Sequence, residues 1–442
     1  MAGSRHGSSA CWEFWALAPN LKGRLARIRK IGLVKATEIG EVEGSGGARL
    51  PAEGRRVGVS SPQARRRASF LAGWDQEADL VWARRLGYEL PLPLSLDIEA
   101  FEPLKRRRRE PRPSSLSDGE AIRRDRMSLE ELRFFDLETT GLSGGTGTIA
   151  FLAAVGRIKD GEFELSQVFL EDFPGEKSFL DLLLSWLSGS SGLVSYNGRA
   201  FDLPLLRTRC VMNGIQQPRP GVHVDALFAA RRLWRRVYGG ASLGLIEREV
   251  LGLERAEDLP GSMIPEVWLS CARQGDHPLM SLALAHNAQD VVSLARILAR
   301  AQAIFDEPLS HSGRADLDRL GLGRTLLALG RAEEGEKLLE AAAGEGDEAA
   351  GLILSARYRR SGRIEACLGL AALLPSTYAC AVEKAKLFER SLHDLASASR
   401  FAAEALRLAP SEAAREAAKA RAARIAKRIC VMKKTRGPRP DA

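Results

Sequence analysis

The feature that most restricts the fold of this chain is a short apolar run that ends in two carboxylates. Residues 132–137 read as a buried strand, and Asp136 and Glu138 stand two positions apart at its end. Alternate residues of a strand point to the same face, so the two acids should project together. Like charges so close repel unless a cation lies between them, whereas two solvated acids at a surface strand end would need none.

Two later segments each supply another acid. Asp202 follows a second short strand, residues 192–196, and stands near the start of a predicted helix. Asp290 lies inside a later predicted helix, four residues after His286, so the two share one helix face. A lone histidine on a helix is usually structural, but this one stands one turn from an acid in an otherwise apolar helix.

An Asp-x-Glu pair on a strand, an Asp at a helix start and an Asp late on a helix form the arrangement of a two-metal phosphodiester site. Two ions roughly 3.5–4 Å apart stabilise the attacking and leaving oxygens of an in-line displacement. A nearby general base takes the proton from the attacking water. Carboxylate oxygens suit hard divalent cations, so the expected cofactors are two Mg²⁺ or Mn²⁺ ions.

The segments around these acids alternate between strand and helix patterns. We predict strands at residues 132–137, 148–158, 163–170, 192–196 and 222–225, and helices at 179–187, 225–238 and 279–304. This order is typical of an α/β layer fold with a mixed sheet flanked by helices. Asp225, at the end of the last strand, is interpreted as a helix N-cap or a support of the site.

No strand pattern remains after about residue 313, where Ala and Leu dominate. The stretch Leu-Gly-Arg-Ala-Glu at 329–333 is echoed 32 residues later by Ser-Gly-Arg-Ile-Glu at 361–365, and a weaker copy surrounds 392–395. A period near 32 to 34 residues with helix, glycine turn and helix resembles tetratricopeptide repeats. A plain helical bundle is the alternative. We therefore predict helical repeats over 313–430 and a basic tail over 431–442.

The positive charge of the chain is concentrated near its N-terminus. Of a net charge of +9, the first 130 residues supply most, with 24 Lys and Arg against 17 Asp and Glu. We predict a basic, largely disordered arm over 1–126, with a short helix at 74–86 and a Pro- and Ser-rich linker. Such an arm suggests an anionic partner, nucleic acid first and acidic lipid second. The basic run 105–109 reads either as a phosphate contact or as a solvated hinge.

Composition excludes several classes of protein. The apolar fraction is 45% and the charged fraction 27%, as in soluble globular proteins. No uncharged apolar run is long enough for a membrane span, and the N-terminus lacks the pattern of a signal peptide. Six cysteines without a C-x-x-C pair argue against a zinc ribbon or disulfide framework. The sequence thus predicts a cytoplasmic protein.

The three acidic segments resemble the exonuclease motifs of the DEDD superfamily, which has a ribonuclease-H-like fold and 3′-5′ exonuclease activity. The longer pattern is similar to the YprB-like branch of that superfamily, in which a C-terminal repeat segment is also familiar. The similar stretches are residues 136–148, 196–204, 255–265 and 286–290, and the likeness as a whole spans about 132–304. The resemblance implies a ribonuclease-H-like exonuclease domain over 127–306.

The resemblance also implies roles for single residues. The implied metal ligands are Asp136, Glu138, Asp202 and Asp290. Thr139 and Leu142 would lie against the terminal nucleotide, while Asn197 and Phe201 would contact the substrate strand through a hydrogen bond and base stacking. Leu142 and Phe201 could equally well pack the site without touching substrate.

The histidine departs from the pattern of the superfamily. Members carry either a tyrosine four residues before the last Asp or a histidine five residues before it, whereas this chain has His286 four before and Ala285 five before. One helical position turns a side chain by about 100°. We nevertheless predict His286 as the general base, because imidazole transfers protons near neutral pH.

Two functions remain open at this point. One is a metal-dependent 3′-5′ exonuclease that trims single-stranded nucleic acid, either DNA or RNA. The other is an interaction or scaffold protein whose helical repeats bind a protein partner while the nuclease fold is weak or inactive. Four intact acids favour the enzyme, and the unusual position of His286 leaves room for the scaffold.

Overall fold

The computed structural model describes residues 69–104, 126–141, 146–255 and 257–435, all within one compact unit. Most of the described strands join a single seven-stranded sheet. The strands are β1 (Asp75–Ala78), β2 (Val81–Tyr88), β3 (Ser95–Asp97), β4 (Arg126–Ser128), β5 (Leu132–Thr139), β6 (Ala150–Lys159), β7 (Glu162–Leu170), β8 (Gly192–Ser195) and β9 (Val222–Asp225).

The sheet is mixed, as the sequence predicts. Its order is β1-β2-β7-β6-β5-β8-β9, with β3 and β4 forming a separate two-stranded ribbon. The pairs β5–β8 and β8–β9 are parallel, and the remaining pairs are antiparallel. Strand β5 thus lies inside the sheet, next to the parallel strand β8, after which the chain reaches Asp202 at the start of the next helix. This pairing of β5 with β8 brings the first two acidic segments close together.

The predicted helix over 74–86 is wrong, because this segment forms the hairpin β1–β2. Eight consecutive residues of β2 pair with β7, and Trp82 lies opposite Phe169. Trp82 Nε1 donates a hydrogen bond to Glu171 Oε2 at 3.0 Å. Leu80, Val81 and Trp82 suggest an apolar helix face locally, but β-branched and aromatic residues also suit a half-buried strand, and the edge of β7 decides the outcome.

The hairpin lies within residues 1–126, the segment that is predicted to form the basic, largely disordered arm. Residues 1–68 and the basic run 105–109 lie outside the described residues. The division of the chain into domains at residues 127 and 306 stays a prediction.

The described α-helices cover both faces of the sheet and continue to the C-terminal part of the chain. They are α1 (Ile98–Phe101), α2 (Glu176–Leu187), α3 (Asp202–Met212), α4 (Ala226–Leu233), α5 (Arg235–Tyr238), α6 (Leu243–Ile246), α7 (Ile264–Gln274), α8 (Met280–Asp306), α9 (Arg319–Ala328), α10 (Ala332–Gly344), α11 (Glu348–Arg360), α12 (Ile364–Leu373), α13 (Tyr378–Arg390), α14 (Leu395–Arg407) and α15 (Glu412–Thr435). The predicted α/β fold followed by helical repeats is confirmed. Helix α15 continues through the start of the predicted basic tail.

The two faces of β5 enter different cores. Phe135 and Leu137 belong to the core that includes α2 and α7, whereas Phe134 belongs to the core that includes most of α8. Since side chains alternate along a strand, Asp136 and Glu138 lie on the face of Phe134, toward α8. The long helix α8 thus lies over these two acids.

The helices after α8 form antiparallel pairs with a repeated turn. Gly330, Gly362 and His393 stand 32 and 31 residues apart, and each adopts a left-handed backbone conformation between two helices. Helix contacts are strongest within the pairs α9–α10 and α13–α14. These features support the predicted internal repeat, while its assignment to the tetratricopeptide class remains a prediction. Within the described ranges, no helix is both long and apolar enough to cross a bilayer.

Candidate metal centre

Strand β5 delivers the first two acids at its C-terminal end. Asp136 lies opposite Ala154 of β6, and Glu138 lies opposite Leu152. The register between the two strands shifts after Glu138, so that Thr139 pairs with Ala150. Such a bulge bends a strand and re-aims the side chains beside it. The irregularity therefore falls at the point where the acids leave the sheet.

A chain of buried amides fixes the carboxylate of Asp136. Asn287 Nδ2, on the fully buried face of α8, donates to Asp136 Oδ2 at 2.9 Å. Asn287 Oδ1 accepts from Gln167 Nε2 of β7 at 3.0 Å, and Gln167 Oε1 accepts from Arg84 Nε of β2 at 2.8 Å. The hairpin is thus linked to Asp136 through three successive hydrogen bonds.

The third acid, Asp202, is the first residue of α3 and follows a tight loop after β8. The loop is held by Asp225, whose carboxylate accepts from the backbone N–H of Asn197 at 2.7 Å and of Arg199 at 3.2 Å. Asp225 also accepts from the N–H of Leu227 and caps α4, as the sequence predicts. One side chain therefore sets both the loop and the next helix.

Gly198 is required by the close packing of this loop. A Cβ atom at this position would lie 2.5 Å from Ser195 Oγ and 2.8 Å from Asp202 Oδ2. Both distances are shorter than real Cβ contacts, so any larger residue would displace the carboxylate of Asp202. The backbone of Asn197 is left-handed, with φ of 69°, which asparagine tolerates better than most residues.

Helix α8 supplies the fourth acid together with the histidine. His286 Nε2 lies 3.5 Å from Asp290 Oδ2, one helical turn away. Donor atoms of Glu138, His286 and Asp290 all lie within 4.8 Å of one another. The imidazole therefore faces the acidic cluster, by which we mean Asp136, Glu138, Asp202 and Asp290, in spite of its unusual position in the sequence. Its role as the general base stays a prediction.

Arg255 and Asp258 approach the same helix from the loop before α7. Arg255 binds buried Glu247 through two hydrogen bonds of 2.9 and 2.7 Å and also donates to Asp290. Asp258 Oδ1 lies 2.7 Å from His286 Nδ1, and Arg255 Nη1 lies 3.1 Å from the same nitrogen. This loop is part of the stretch 255–265, for which the sequence suggests similarity but no role.

The electrostatics of the cluster oppose full ionisation of the acids. Burial raises the pKa of Asp136 well above its ordinary range, and the charges of Asp290, Asp202 and Glu138 raise it further. Burial and the charges of Asp290 and Asp202 raise the pKa of Glu138 in the same way. Burial, with Asp225, raises the pKa of Asp202 to about 7. Burial also raises the pKa of Asp290, although His286 and Arg255 lower it.

This donor set fits divalent cations. Four acids whose pKa values are raised by burial and by neighbouring acids gain most from a positive charge placed between them. Their oxygens, with one imidazole nitrogen within reach, are donors that Mg²⁺ and Mn²⁺ accept. Metal binding requires deprotonated ligands, so a bound cation would reverse the upward pKa shifts.

The remaining predicted contact residues lie around the cluster, with one exception. Thr139 ends β5, and its Oγ1 donates to the carbonyl oxygen of Gly141 at 2.9 Å. Asn197 lies in the loop before Asp202, and Phe201 directly precedes that acid with 55% of its surface exposed. Leu142 lies outside the described residues. The role of Phe201 as a substrate contact stays a prediction, with packing of the site as its alternative.

Sequence reasoning missed several side chains that bind the acids or His286 directly or through one or two other side chains. They are Arg84, Gln167, Glu247, Arg255, Asp258 and Asn287. Asn287 and the loop residues stand inside stretches that carry the resemblance, which is the signal that could have found them. Arg84 and Gln167 lie on strands and show no local sign of a role at the site.

Comparison with known proteins places this sheet in a family. The RNase_H_2 family of the RNase_H superfamily matches residues 133–302. The chain is 32% identical over 287 residues to the protein YprB of Bacillus subtilis (strain 168), an alignment that covers 62% of this chain and 69% of YprB. The predicted resemblance to a YprB-like protein with a ribonuclease-H-like domain is confirmed.

Two solved structures are also similar to part of the chain. One is the family B DNA polymerase of the archaeon Pyrobaculum calidifontis, at 18% identity and a TM-score of 0.30, covering 46% of this chain and 29% of the polymerase. The other is the zinc-bound complex of E. coli ExoI with single-stranded DNA, at 17% identity and a TM-score of 0.26, covering 45% of each chain. The chain spans less than half the length of either.

Proposed function

This chain belongs to the family of the Bacillus subtilis protein YprB, and we propose that it is a metal-dependent 3′-5′ exonuclease acting on single-stranded nucleic acid. The observation that carries the proposal is the cluster of four carboxylates on β5, α3 and α8, with their pKa values raised by burial and by neighbouring acids. An RNase H-superfamily domain over residues 133–302 supports it.

Retention of these acids has an energetic cost that a purely structural role would not explain. An isolated charge withdrawn from water is strongly unfavourable, and like charges add to the cost. Apolar side chains of similar volume would pack β5 against α8 without this conflict. A site that binds cations gains back the cost when the cations are present, so we assign Asp136, Glu138, Asp202 and Asp290 as the metal ligands.

In the proposed reaction, two bound divalent cations would stabilise the charge that develops on the attacking and leaving oxygens. The chain itself positions these ligands and supplies a proton acceptor. Asn287 orients the carboxylate of Asp136, and the loop held by Asp225 orients Asp202. His286 Nε2, which faces the cluster, takes the proton of the attacking water.

The surroundings of the cluster suit a single strand. Phe201 presents an exposed ring next to Asp202, and a base can stack on such a ring whatever its identity. We assign Thr139 as a neighbour of the terminal nucleotide and Asn197 as a hydrogen-bonding contact of the substrate strand, because Thr139 follows Glu138 on β5 and Asn197 lies in the loop that leads to Asp202. Stacking on Phe201 would hold the strand in place while its last phosphodiester bond is cut.

The test is cleavage of single-stranded DNA and RNA labelled at either end, with Mn²⁺, Mg²⁺ or EDTA. The purified chain is compared with the Asp136→Ala/Glu138→Ala double variant. Asp75→Ala/Glu77→Ala is the matched control, since it removes two exposed acids with the same spacing from edge strand β1. We expect stepwise loss from the 3′ end that requires metal, survives in the control and disappears in the double variant.

Two results would contradict the proposal. Equal cleavage by the chain and its double variant would assign the activity to something other than the acidic cluster. Absence of cleavage on every strand with every metal would favour the alternative function, in which the helical repeats after α8 bind a protein partner. The preferred polymer, if cleavage occurs, identifies the substrate as DNA or RNA.

A further inference from the structure

We infer that Asp258 is a positioning residue that holds His286 in the one tautomer able to accept a proton from within the acidic cluster. The inference rests on the proposed function, because it concerns the same histidine. It assigns a role to the stretch 255–265, which carries the resemblance in sequence yet supplies none of the acids. The observation behind it is the contact of 2.7 Å between Asp258 Oδ1 and His286 Nδ1.

The direction of this hydrogen bond follows from the chemistry of the two groups. An ionised carboxylate only accepts, so a contact of this length requires that Nδ1 carries the hydrogen. A neutral imidazole has a single N–H, which leaves Nε2 with a free lone pair. Nε2 is the nitrogen that faces the cluster, 3.5 Å from Asp290 Oδ2.

Arg255 also lies near His286 Nδ1, and the other contacts of Arg255 indicate which group binds that nitrogen. Its Nη1 lies 3.1 Å from His286 Nδ1, farther than the carboxylate of Asp258. The guanidinium already donates twice to Glu247, of which only 1% is exposed, and once to Asp290. These three bonds use Nε and Nη2. The remaining nitrogen, Nη1, also lies 3.7 Å from Asp258 Oδ1, so this carboxylate can accept its hydrogen in place of Nδ1.

The position of His286 in the sequence makes this support necessary. A histidine four residues before Asp290 shares its helix face and lies directly beside the acid. Without a partner on Nδ1, the ring could place its hydrogen on Nε2 and donate it to Asp290, which would leave no acceptor for water. Asp258 removes that arrangement by binding Nδ1 from the opposite side of the ring.

The proton balance of the step is simple. The hydrogen on Nδ1 stays between His286 and Asp258, and the proton of the attacking water moves to Nε2. The resulting imidazolium is stabilised by the neighbouring carboxylate. As the new bond from water to phosphorus forms, the bond from phosphorus to the leaving oxygen breaks on the opposite side of the phosphorus, so the leaving oxygen takes a proton from solvent and Nε2 afterwards releases its own proton to solvent.

The experiment compares Asp258→Asn with Glu257→Gln in the full chain. Both variants remove one negative charge from neighbouring exposed positions of the same loop, but only Asp258 contacts His286. An asparagine amide can donate to Nδ1 and thereby favour the hydrogen on Nε2. We expect kcat to fall by about 10- to 100-fold in Asp258→Asn with KM nearly unchanged, and both constants to stay at wild type in Glu257→Gln.

A second measurement reads the tautomer without activity or metal. Nitrogen-15 spectra of labelled histidine rings, recorded in EDTA and assigned with His286→Gln, should show the hydrogen of His286 on Nδ1 in wild type and Glu257→Gln, and on Nε2 in Asp258→Asn. A wild-type hydrogen on Nε2, or equal kcat in the two variants, would overturn the inference. An inactive wild type with the hydrogen on Nδ1 would reject the exonuclease and leave the role of Asp258 intact.

Discussion

At the scale of single residues, the carboxylates of the acidic cluster repel one another, and Arg255 partly offsets this repulsion. Its guanidinium contacts Asp290 and is anchored on buried Glu247. Burial of the guanidinium lowers the pKa of Arg255, but the two acids together outweigh burial and raise this pKa overall. Arg255 thus supplies, in the protein alone, some of the positive charge that cations would supply in the proposed enzyme.

Removing Arg255 should therefore destabilise the metal-free protein most. We expect Arg255→Gln to lower the free energy of unfolding in EDTA by roughly 3 kcal/mol, because Glu247 and Asp290 lose a buried partner. Saturating Mn²⁺ should restore more stability to this variant than to wild type. The control is Arg248→Gln, an exposed pair with Glu249, which should change stability little. Equal denaturant midpoints for the two variants in EDTA would contradict this prediction.

The raised pKa of Asp202 predicts the pH dependence of stability. A carboxyl whose pKa is near 7 in the folded protein and 3.8 when unfolded stabilises the fold at low pH, and this contribution is lost as pH rises through the window from about 4 to 7. In EDTA, the free energy of unfolding should fall by a few kcal/mol across this window, at about 1.4 kcal/mol per pKa unit. Asp202→Asn should flatten the decline. A slope identical to that of wild type, or to that of exposed Asp75→Asn, would argue against it.

Much of the residue-scale picture follows from sequence, and the part that does not is long-range. Strand alternation places Asp136 and Glu138 on one face, and helix spacing places His286 beside Asp290, whereas the resemblance to the exonuclease motifs is what implies that the four acids share one site. Asp258 and Arg255 reach His286 across about 30 positions of the chain, and no local pattern shows which loop will cover α8. Their contacts depend on tertiary packing.

At the scale of elements, the central strands and long helices follow from periodicity, whereas the hairpin β1–β2 does not. Residues 132–137 and 222–225 read as strands because apolar runs between turn signals have few other solutions. The hairpin carries too few apolar residues to be stable alone and gains its structure from eight pairs with β7. That pairing also brings Arg84 to Gln167 and so into the chain of hydrogen bonds that ends at Asp136.

The repeated turns of the C-terminal helices allow a second kind of test. Gly362 has φ of 75° and no atom within 4 Å of the position of a Cβ, so alanine there meets only conformational strain. Gly362→Ala should cost about 1 kcal/mol in the free energy of unfolding. His393, at the equivalent turn with φ of 55°, already carries this strain, so His393→Gly should cost nothing or stabilise. Thermal unfolding of both variants checks the contrast, and a stability loss in His393→Gly as large as that in Gly362→Ala would contradict it.

At the scale of the whole molecule, the first repeat helices belong to the core of the α/β part. Leu322, Leu326 and Leu338 of α9 and α10 pack in the same cluster as Phe134 of β5 and the second half of α8. The later helices build separate clusters of their own. The sequence suggests two successive domains, but composition changes along the chain do not reveal that they share apolar contacts.

Truncation should therefore have different effects at different positions. A chain that ends at Asp306 loses several buried leucines from the shared core, each worth about 1.5–3 kcal/mol, and should unfold at a much lower temperature or aggregate. A chain that ends at Pro410 loses only α15 among the described helices, and the sheet should keep its hydrogen-exchange protection. Equal protection of β5 and β6 in both truncated chains would show that the repeats are independent of the nuclease fold.

The most direct test of the central claim is the number of Mn²⁺ ions bound per chain, measured by electron paramagnetic resonance in a titration without nucleic acid. The proposed site predicts two ions for wild type and for the Asp75→Ala/Glu77→Ala control, and loss of both ions in Asp136→Ala/Glu138→Ala. Binding of Mn²⁺ that is equal in all three proteins, or absent from wild type, would contradict a metal centre formed by these acids.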